Sequence, residues 1–525
     1  MSAATAATVR PSGARATGLP DASARWRRAA AACLAALALA GCTVVGPDYR
    51  RPDQALPERF VDVMPTDVAA AGAPDAALPA DWWTLYRDPA LDALVGAALA
   101  RNPDVRLAIA QVEEAEAALR EAYAVLVPQV DLGASTTRSR ITSLGATPVP
   151  PSVPLARSDQ RIALSTAFEL DLWGKLRRGA EAVDAQLAAS RYARDVVALS
   201  LAGTTAQSWF ALRSLDAQIA VTRESVQTRT ESLEVVRARA RGGVVSDLDV
   251  NQAEAARAEA ALQLIELQRQ RAAVERQLGA LTGQPGLRVP AGDLRAMPVP
   301  PLPPAGLPST LLDRRPDIRQ AEAALQAANA RIGVARAAML PTISLTGSFG
   351  GQSAELSDLL RSGARIWSLG FGLALPIFDA GRLQARAEQA EARQRQALAG
   401  YQKSIETAFR EVGDALTNNE RSAAAEGDLQ ARLDAARNST RLARARYESG
   451  YSGYLELLDA LRTQNDAELA LIRNRQARLG YSVDLMKSLG GGWRQSDAEA
   501  SSPAAASAPG TASAGAASAP AGTAR

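Results

Sequence analysis

Few of the residues that do chemistry in proteins are available in this 525-residue sequence. It contains no histidine, and its two cysteines are Cys33 and Cys42. Without His or paired Cys there is no conventional zinc or copper site and no Ser-His or Cys-His nucleophile. Carboxylates remain. Glu456 and Asp459 follow the turn Gly450-Tyr451-Ser452-Gly453, and Asp459 stands four residues after Leu455. In a helix Leu455 and Asp459 share a face. From spacing alone a solvated helix face is the ordinary outcome for both acids. Some enzymes work on carboxylates alone, but nothing in this pattern points to catalysis, and the chain is not expected to be an enzyme.

The elements that carry these residues come in two copies. Pro103 to Pro128 (PDVRLAIAQVEEAEAALREAYAVLVP) aligns with Pro316 to Pro341 (PDIRQAEAALQAANARIGVARAAMLP), 213 residues on. Gly174-Lys175-Leu176 matches Gly381-Arg382-Leu383, and Gly243 to Asp249 matches Gly450 to Glu456, both 207 residues on. The change in offset falls between two strand candidates, where the first copy has the longer loop. A two-fold internal repeat of this kind implies one structural unit used twice, with Pro285 to Pro308 as linker. Each copy reads as a helix of about 25 residues, a strand, a polar loop, a strand, a very long helix, a tight turn and a returning helix. No proline interrupts Lys175 to Gly283 or Arg382 to Leu489, and both runs are rich in Ala, Arg, Glu, Gln and Leu. A single helix over Lys175–Arg241 spans about 100 Å at 1.5 Å per residue. A helix that long must lie in a coiled-coil or tubular array.

The strands alternate. Ile162, Leu164, Thr166, Phe168, Leu170 and Leu172 interleave with Ala163, Ser165, Ala167, Glu169 and Asp171 in a strand predicted over Arg161 to Trp173. Trp367, Leu369, Phe371, Leu373, Leu375 and Ile377 do the same over Trp367 to Phe378, and Val130-Leu132 and Ile343-Leu345-Phe349 keep the period. On alternation alone a half-buried soluble sheet is the commoner case. A barrel wall with lipid on one side and water on the other shows the same pattern, and the leader described below together with the missing soluble-domain helices favours it. No later segment has 18 consecutive apolar residues, so any crossing must use strands. Spanning barrels begin at about eight strands, and an open edge in lipid leaves costly unpaired backbone groups. Four spanning strands must therefore be completed by other copies of the chain. Trp173, Trp367 and Phe378 are either interfacial aromatics or simply packed.

The first 41 residues have the layout of a secretory signal: Arg25, Arg27 and Arg28, the apolar stretch Ala29 to Ala40, then Gly41. The residues before Arg25 are long for a leader, so translation is expected to start further in. Leu39-Ala40-Gly41-Cys42 resembles the lipobox of bacterial lipoproteins, which implies an S-diacylglycerol and an N-acyl group on Cys42. An ordinary signal with an incidental cysteine is the alternative. Two or more acyl chains give stable membrane anchoring, and Thr43, where an inner-membrane retention signal favours Asp, directs the expectation to the outer membrane. Removal of residues 1–41 takes five Arg and one Asp. The 59 basic and 56 acidic residues become 54 and 55. The basic pI thus carries no implication of nucleic acid. Cys33 leaves with the leader, so the mature chain forms no internal disulfide.

Several motifs, in order, resemble the outer-membrane factors of tripartite efflux systems, TolC-like channels, in the lipidated branch of OprM, CusC and NodT type. They are Val45-Gly46-Pro47-Asp48-Tyr49-Arg50-Arg51-Pro52, Trp82-Trp83 with Asp88-Pro89, Phe168 to Lys175, and Leu312 to Ile318. Leu375 to Gly381, and Arg446 to Gly450 with Tyr454 to Ala460, complete the series. The resemblance covers nearly the whole mature chain. It implies a mainly α protein with a transmembrane β-barrel portion: a homotrimer giving four strands per protomer to a twelve-stranded barrel, a periplasmic α-helical tube and an equatorial domain. It also implies a periplasmic adaptor and an inner-membrane pump, of resistance-nodulation-division (RND) type, as partners, and no cofactor beyond the lipid. Expected divisions are 1–41 signal, 42–308 lipidated N-terminus and first repeat with linker, 309–494 second repeat, and 495–525 a disordered Ala/Ser/Pro-rich tail. By the same resemblance Leu455, Glu456 and Asp459 form the periplasmic aperture, and Gly243 and Gly450 are helix tips that dock the adaptor. The first copy offers Leu248, Asp249 and Gln252 in equivalent places. An apolar ring constricts by dewetting and a carboxylate ring selects cations. Alternatives are the same channel serving protein secretion, and a lipid-anchored coiled coil without a pore.

Overall fold

The computed structural model describes residues 44–53, 78–144, 149–150, 152–301 and 308–493. The leader, Cys42, the end of the linker and the tail 495–525 lie outside the described residues. No described helix is long and apolar enough to cross a membrane. The helices and strands run α1 (Pro89–Arg101), α2 (Pro103–Ala124), β1 (Gln129–Arg140), β2 (Ala156–Leu170), α3 (Lys175–Arg241), α4 (Asp247–Leu281), α5 (Pro308–Arg314), α6 (Pro316–Ala337), β3 (Thr342–Ser353), β4 (Arg365–Ala374), α7 (Arg382–Glu448) and α8 (Tyr454–Ser488). The repeat is visible in these bounds. Helices α3 and α7 each have 67 residues, α4 and α8 each 35, and α2 and α6 each 22.

By contacts the chain divides into two compact units. The first holds the four strands with the adjoining ends of α2, α3, α6 and α7. The strands form one antiparallel sheet in the order β1-β2-β3-β4. Its register converts the alternation of the sequence into rows. Leu132, Leu164, Phe349 and Trp367 pair in series across all four strands, followed by Val130, Thr166, Gly347 and Leu369. Phe168, Leu345 and Phe371, then Leu170, Ile343 and Leu373, continue the same face. The opposite face carries Asp131, Ser165, Ser348 and Ser368 in one row, with Ser348 and Ser368 hydrogen-bonded at 2.8 Å. The apolar face is bare: Trp367 is 76 % exposed and Leu132 67 %.

Two strand ends differ from expectation. β2 stops at Leu170 and β4 at Ala374, before Trp173 and Phe378. In each case an aspartate reorganises the chain into a helix start. Asp171 accepts the amides of Leu176 and Arg177, and Asp379 accepts those of Gly381 and Leu383. Such caps satisfy the orphan donors of a helix N-terminus, and Pro376 has no amide to extend a ladder. Trp173 instead donates its indole N–H to the Pro341 carbonyl at 2.7 Å.

An N-terminal strap crosses this unit. The Val45 amide donates to the Trp173 carbonyl (2.9 Å), Asn329 donates to the Pro47 carbonyl (2.8 Å), and Asp48 meets the buried Arg178 at 2.5 Å. Gly46 sits at φ +107°, and a Cβ there would lie 2.5 Å from the Gly333 Cα. Glycine is required on both sides of this crossing.

The second unit contains the remaining helical lengths. Trp82, Tyr86, Trp209, Phe210, Leu278, Leu479, Val483 and Met486 share its main core. Asp88 caps α1 through the Ala90 amide and accepts the Trp209 indole N–H at 2.8 Å. The described part of the linker is held down by buried charge. Asp216 accepts from the Gly292 amide and from Arg271, which donates also to the Val289 carbonyl. After α8 the chain passes Gly490, Gly491 and Gly492, all at positive φ, and the Trp493 indole donates to Asp195.

Candidate channel aperture

Both long hairpins end in the same way, for reasons legible in their glycines. After α3, Gly243 takes φ +71°; its amide bonds to the Ala240 carbonyl and that of Val244 to Arg239. After α7, Gly450 takes φ +78°, with Gly450 to Tyr447 and Tyr451 to Arg446. These are paired helix-ending bonds that need a left-handed residue. No heavy atom lies within 4 Å of where a Cβ would stand at either glycine, so each turn projects freely. The returning helices start differently. Ser246 and Asp249 form a reciprocal capping box on α4, whereas Gly453 before α8 offers no side-chain cap.

Beyond the second tip, Leu455, Glu456 and Asp459 all lie on the exposed side of α8, while Tyr454 and Leu457 are buried. Leu455 is 62 % exposed. Neither acid stands bare. Glu456 pairs with Arg446 at 3.2 Å, and Asp459 with Arg462 on its own helix at 3.0 Å. In the first copy Leu248 is likewise exposed, but Asp249 is occupied in the capping box.

Arg239 is the residue that sequence reasoning missed. Its guanidinium donates to the carbonyls of Tyr447 (3.0 Å) and Glu448 (3.2 Å) and lies over the Tyr447 ring. A side chain from the first repeat thus closes the C-terminus of the second repeat's long helix, where the carbonyl dipoles favour a cation. Tyr447 in turn packs edge-on against Tyr454 at 5.7 Å. Both phenols are buried, and neither hydroxyl has a hydrogen-bond partner among the described residues. Burial, then the neighbouring Tyr447, pushes the Tyr454 phenol up, against a smaller opposing effect of Arg229. Unpartnered buried hydroxyls are costly. Among the described residues no His, Cys, Asp and Glu gather in a group able to hold a metal. This site contains an apolar side chain, two acids and their arginines just beyond the tip of the second hairpin.

Known proteins share this fold. The family model for outer membrane efflux proteins matches residues 94–284 and 307–491. A solvent efflux pump outer membrane protein of Pseudomonas putida, SrpC, is 36 % identical, covering 87 % of this chain and 97 % of its own. The outer membrane protein OprJ of Pseudomonas aeruginosa is also 36 % identical, over 88 % and 95 %. The Campylobacter jejuni CmeC outer membrane channel superposes with a TM-score of 0.79 at 26 % identity, covering 86 % of this chain and 96 % of that one. The open state of the Neisseria gonorrhoeae MtrE channel gives 0.75 at 32 %, covering 86 % and 99 %. The chain belongs to the outer membrane efflux protein family. It is an outer-membrane channel subunit of an efflux pump with the TolC-like fold, and its long helices extend into the periplasm.

Proposed function

We propose that three copies of this chain close a twelve-stranded barrel and form the passive exit duct of a tripartite pump. A periplasmic adaptor docks at the tips around Gly243 and Gly450, and an inner-membrane pump, of RND type, delivers small molecules to the duct. The observation that carries this reading is the sheet: four strands with one apolar face that is most exposed on the outer strands, one polar face, and two edges, β1 and β4, unpaired among the described residues. Such a sheet in lipid must find further strands. Relatives whose names specify solvent, toluene and antibiotic efflux support a small-molecule cargo over secreted protein. Cys42 carries the S-diacylglycerol and N-acyl groups that hold the mature N-terminus on the membrane, and the duct itself catalyses nothing.

Leu455 and Asp459 form stacked rings at the periplasmic aperture, with Glu456 beside them. The leucines narrow the passage by dewetting, and the aspartates set its preference for cations. The Arg462 partner of Asp459 tempers that charge. In planar bilayers the purified trimer should conduct, and Asp459→Ala should raise its conductance and weaken blockade by di- or trivalent cations. A protein that is monomeric in detergent and does not conduct would overturn the duct. Unchanged single-channel behaviour in the variant would remove Asp459 from the aperture.

A further inference from the structure

The four strands leave the helices at one end and are joined in hairpins at the other, through 141–155 and 354–364. With the helices in the periplasm, the hairpin end faces outward. The apolar face changes character towards that end. Past the row of Leu132, Leu164, Phe349 and Trp367 the same face continues with Ala134, Ile162, Gly351 and Arg365, then Thr136, Gln160 and Ser353. It ends with Arg138 beside Ser158 and Arg140 beside Ala156. Three arginines and no carboxylate stand on these outward-facing strand positions.

Arg138, Arg140 and Arg365 are exposed, and none of their guanidinium groups has a hydrogen-bond or ion-pair partner among the described residues. The acids of this end are placed elsewhere. Asp159 is on the opposite face and accepts from Gln352 at 2.8 Å, Asp358 pairs with Arg361 at 3.0 Å, and Glu355 lies in the β3–β4 loop. Trp367 precedes Arg365 by one row, as an interfacial aromatic precedes the polar zone of a barrel. An arginine just outside a hydrocarbon belt can lay its stem on apolar surface and direct its guanidinium to the headgroups. There it forms bidentate bonds with phosphate.

We infer that Arg138, Arg140 and Arg365 form a basic collar that binds the phosphate groups of phosphorylated lipid headgroups in the outer leaflet of the outer membrane. The placement rests on the proposed barrel. β1 and β4 are the two free edges, so closure sets Arg365 on one side of every seam between copies. Arg138 and Arg140 of the partner subunit stand on the facing strand, two and three rows nearer the hairpin end than Ala134, which shares a row with Arg365.

The test uses the purified channel in detergent, with bis-phosphorylated lipid A, dephosphorylated lipid A and inorganic phosphate as probes, and bound lipid counted by native mass spectrometry. The combined variant Arg138→Gln/Arg140→Gln/Arg365→Gln should bind bis-phosphorylated lipid A about a hundredfold more weakly, roughly fivefold for each arginine near a charged lipid surface. The matching Arg→Lys variant keeps the charge and should lose only a few fold. Equal affinity of the wild type and the Gln variant would overturn the collar, as would equal binding of the dephosphorylated lipid. Displacement of the lipid by inorganic phosphate at the same concentration would assign the site to free anions instead and overturn the lipid. Conductance of the wild type reads the barrel separately: a conducting channel indifferent to lipid phosphate defeats the collar alone, while a non-conducting monomer defeats the barrel.

Discussion

The Arg239 guanidinium lies 4.5 Å from the ring centre of Tyr447 and donates at 3.0 Å to the carbonyl of that same residue. One side chain holds both the face of the aromatic ring and the end of the helix backbone. The two hairpins of the repeat are therefore fastened at their tips, next to the exposed Leu455.

Removing this fastening should loosen the aperture. Arg239→Ala forfeits two carbonyl bonds from a cation and the ring contact, together about 1–3 kcal/mol at a partly exposed site. Backbone amides of 446–456 should exchange faster with solvent, and the open fraction in bilayer recordings should rise. Arg239→Lys, which reaches only as a point charge, should fall between the two. Unaltered exchange and gating in Arg239→Ala would show that the tips are held by something else.

Tyr454→Phe should act in the opposite direction. Its hydroxyl is buried without a partner among the described residues, so deleting it removes a desolvation cost of about 1–2 kcal/mol while keeping the edge-on ring contact. Slower amide exchange around 454–458 and a lower open fraction are expected. Faster exchange would mean that the hydroxyl has a partner in the assembled protein.

Arg51 should respond to acid. Glu322 receives Arg51 at 2.7 and 2.8 Å and Arg319 at 3.1 Å. Burial raises its pKa, but the hydrogen bond and charge of Arg51, with Arg319, outweigh burial and hold the carboxyl below its ordinary value of about 4.3. A lowered carboxylate pKa gives stability that is complete above the ordinary value and is lost as pH falls through the folded value. Exchange at residues 50–53 should therefore accelerate below about pH 4. Glu322→Gln should show that faster rate at neutral pH, at a cost of about 2 kcal/mol. This is less than for a fully buried pair because the Arg51 side chain is 36 % exposed. Identical pH profiles for the two proteins would remove Glu322 from this role.

Gly333→Ala should free the strap. The new Cβ would stand 2.7 Å from the Val45 carbonyl and 2.9 Å from the Arg178 side chain, an overpacking worth about 1–3 kcal/mol. Loss of protection at the Val45 amide with intact protection in β2 and β3 is the expected signature. Protection retained at Val45 would show that the strap can shift without leaving.

Helix lengths and the two-fold repeat were legible because proline-free, Ala-, Arg- and Leu-rich runs and glycine turns are local signals. Strand faces were legible for the same reason: Leu164 and Phe349 announce their side by parity alone. Strand ends were not, because Asp171 and Asp379 compete for the backbone as helix caps, and alternation continues past the point where they win. At the aperture, Leu455, Glu456 and Asp459 came from resemblance rather than physics, and their exposed positions agree with either a lining or a plain solvated face. The ion pair of Asp459 with Arg462 follows from their spacing of three residues on one helix. Arg239 carried no signal at all, since its partners lie 208 and 209 residues away. The strap behaves similarly: Val45 to Pro52 was seen as a motif, but the need for Gly46 appears only when Gly333 is placed against it.

The strap also has a mechanical meaning. Val45 is fixed to the Trp173 carbonyl, in the few residues between the end of β2 and the start of α3. Cys42 is three residues earlier, a reach of about 10 Å at full extension. In the proposed lipidated form, that reach is the longest tether between the fatty chains and the point where Val45 is fixed. Tension applied along the helices by a working partner would be shared between the strands and the lipid, at the same depth in the bilayer.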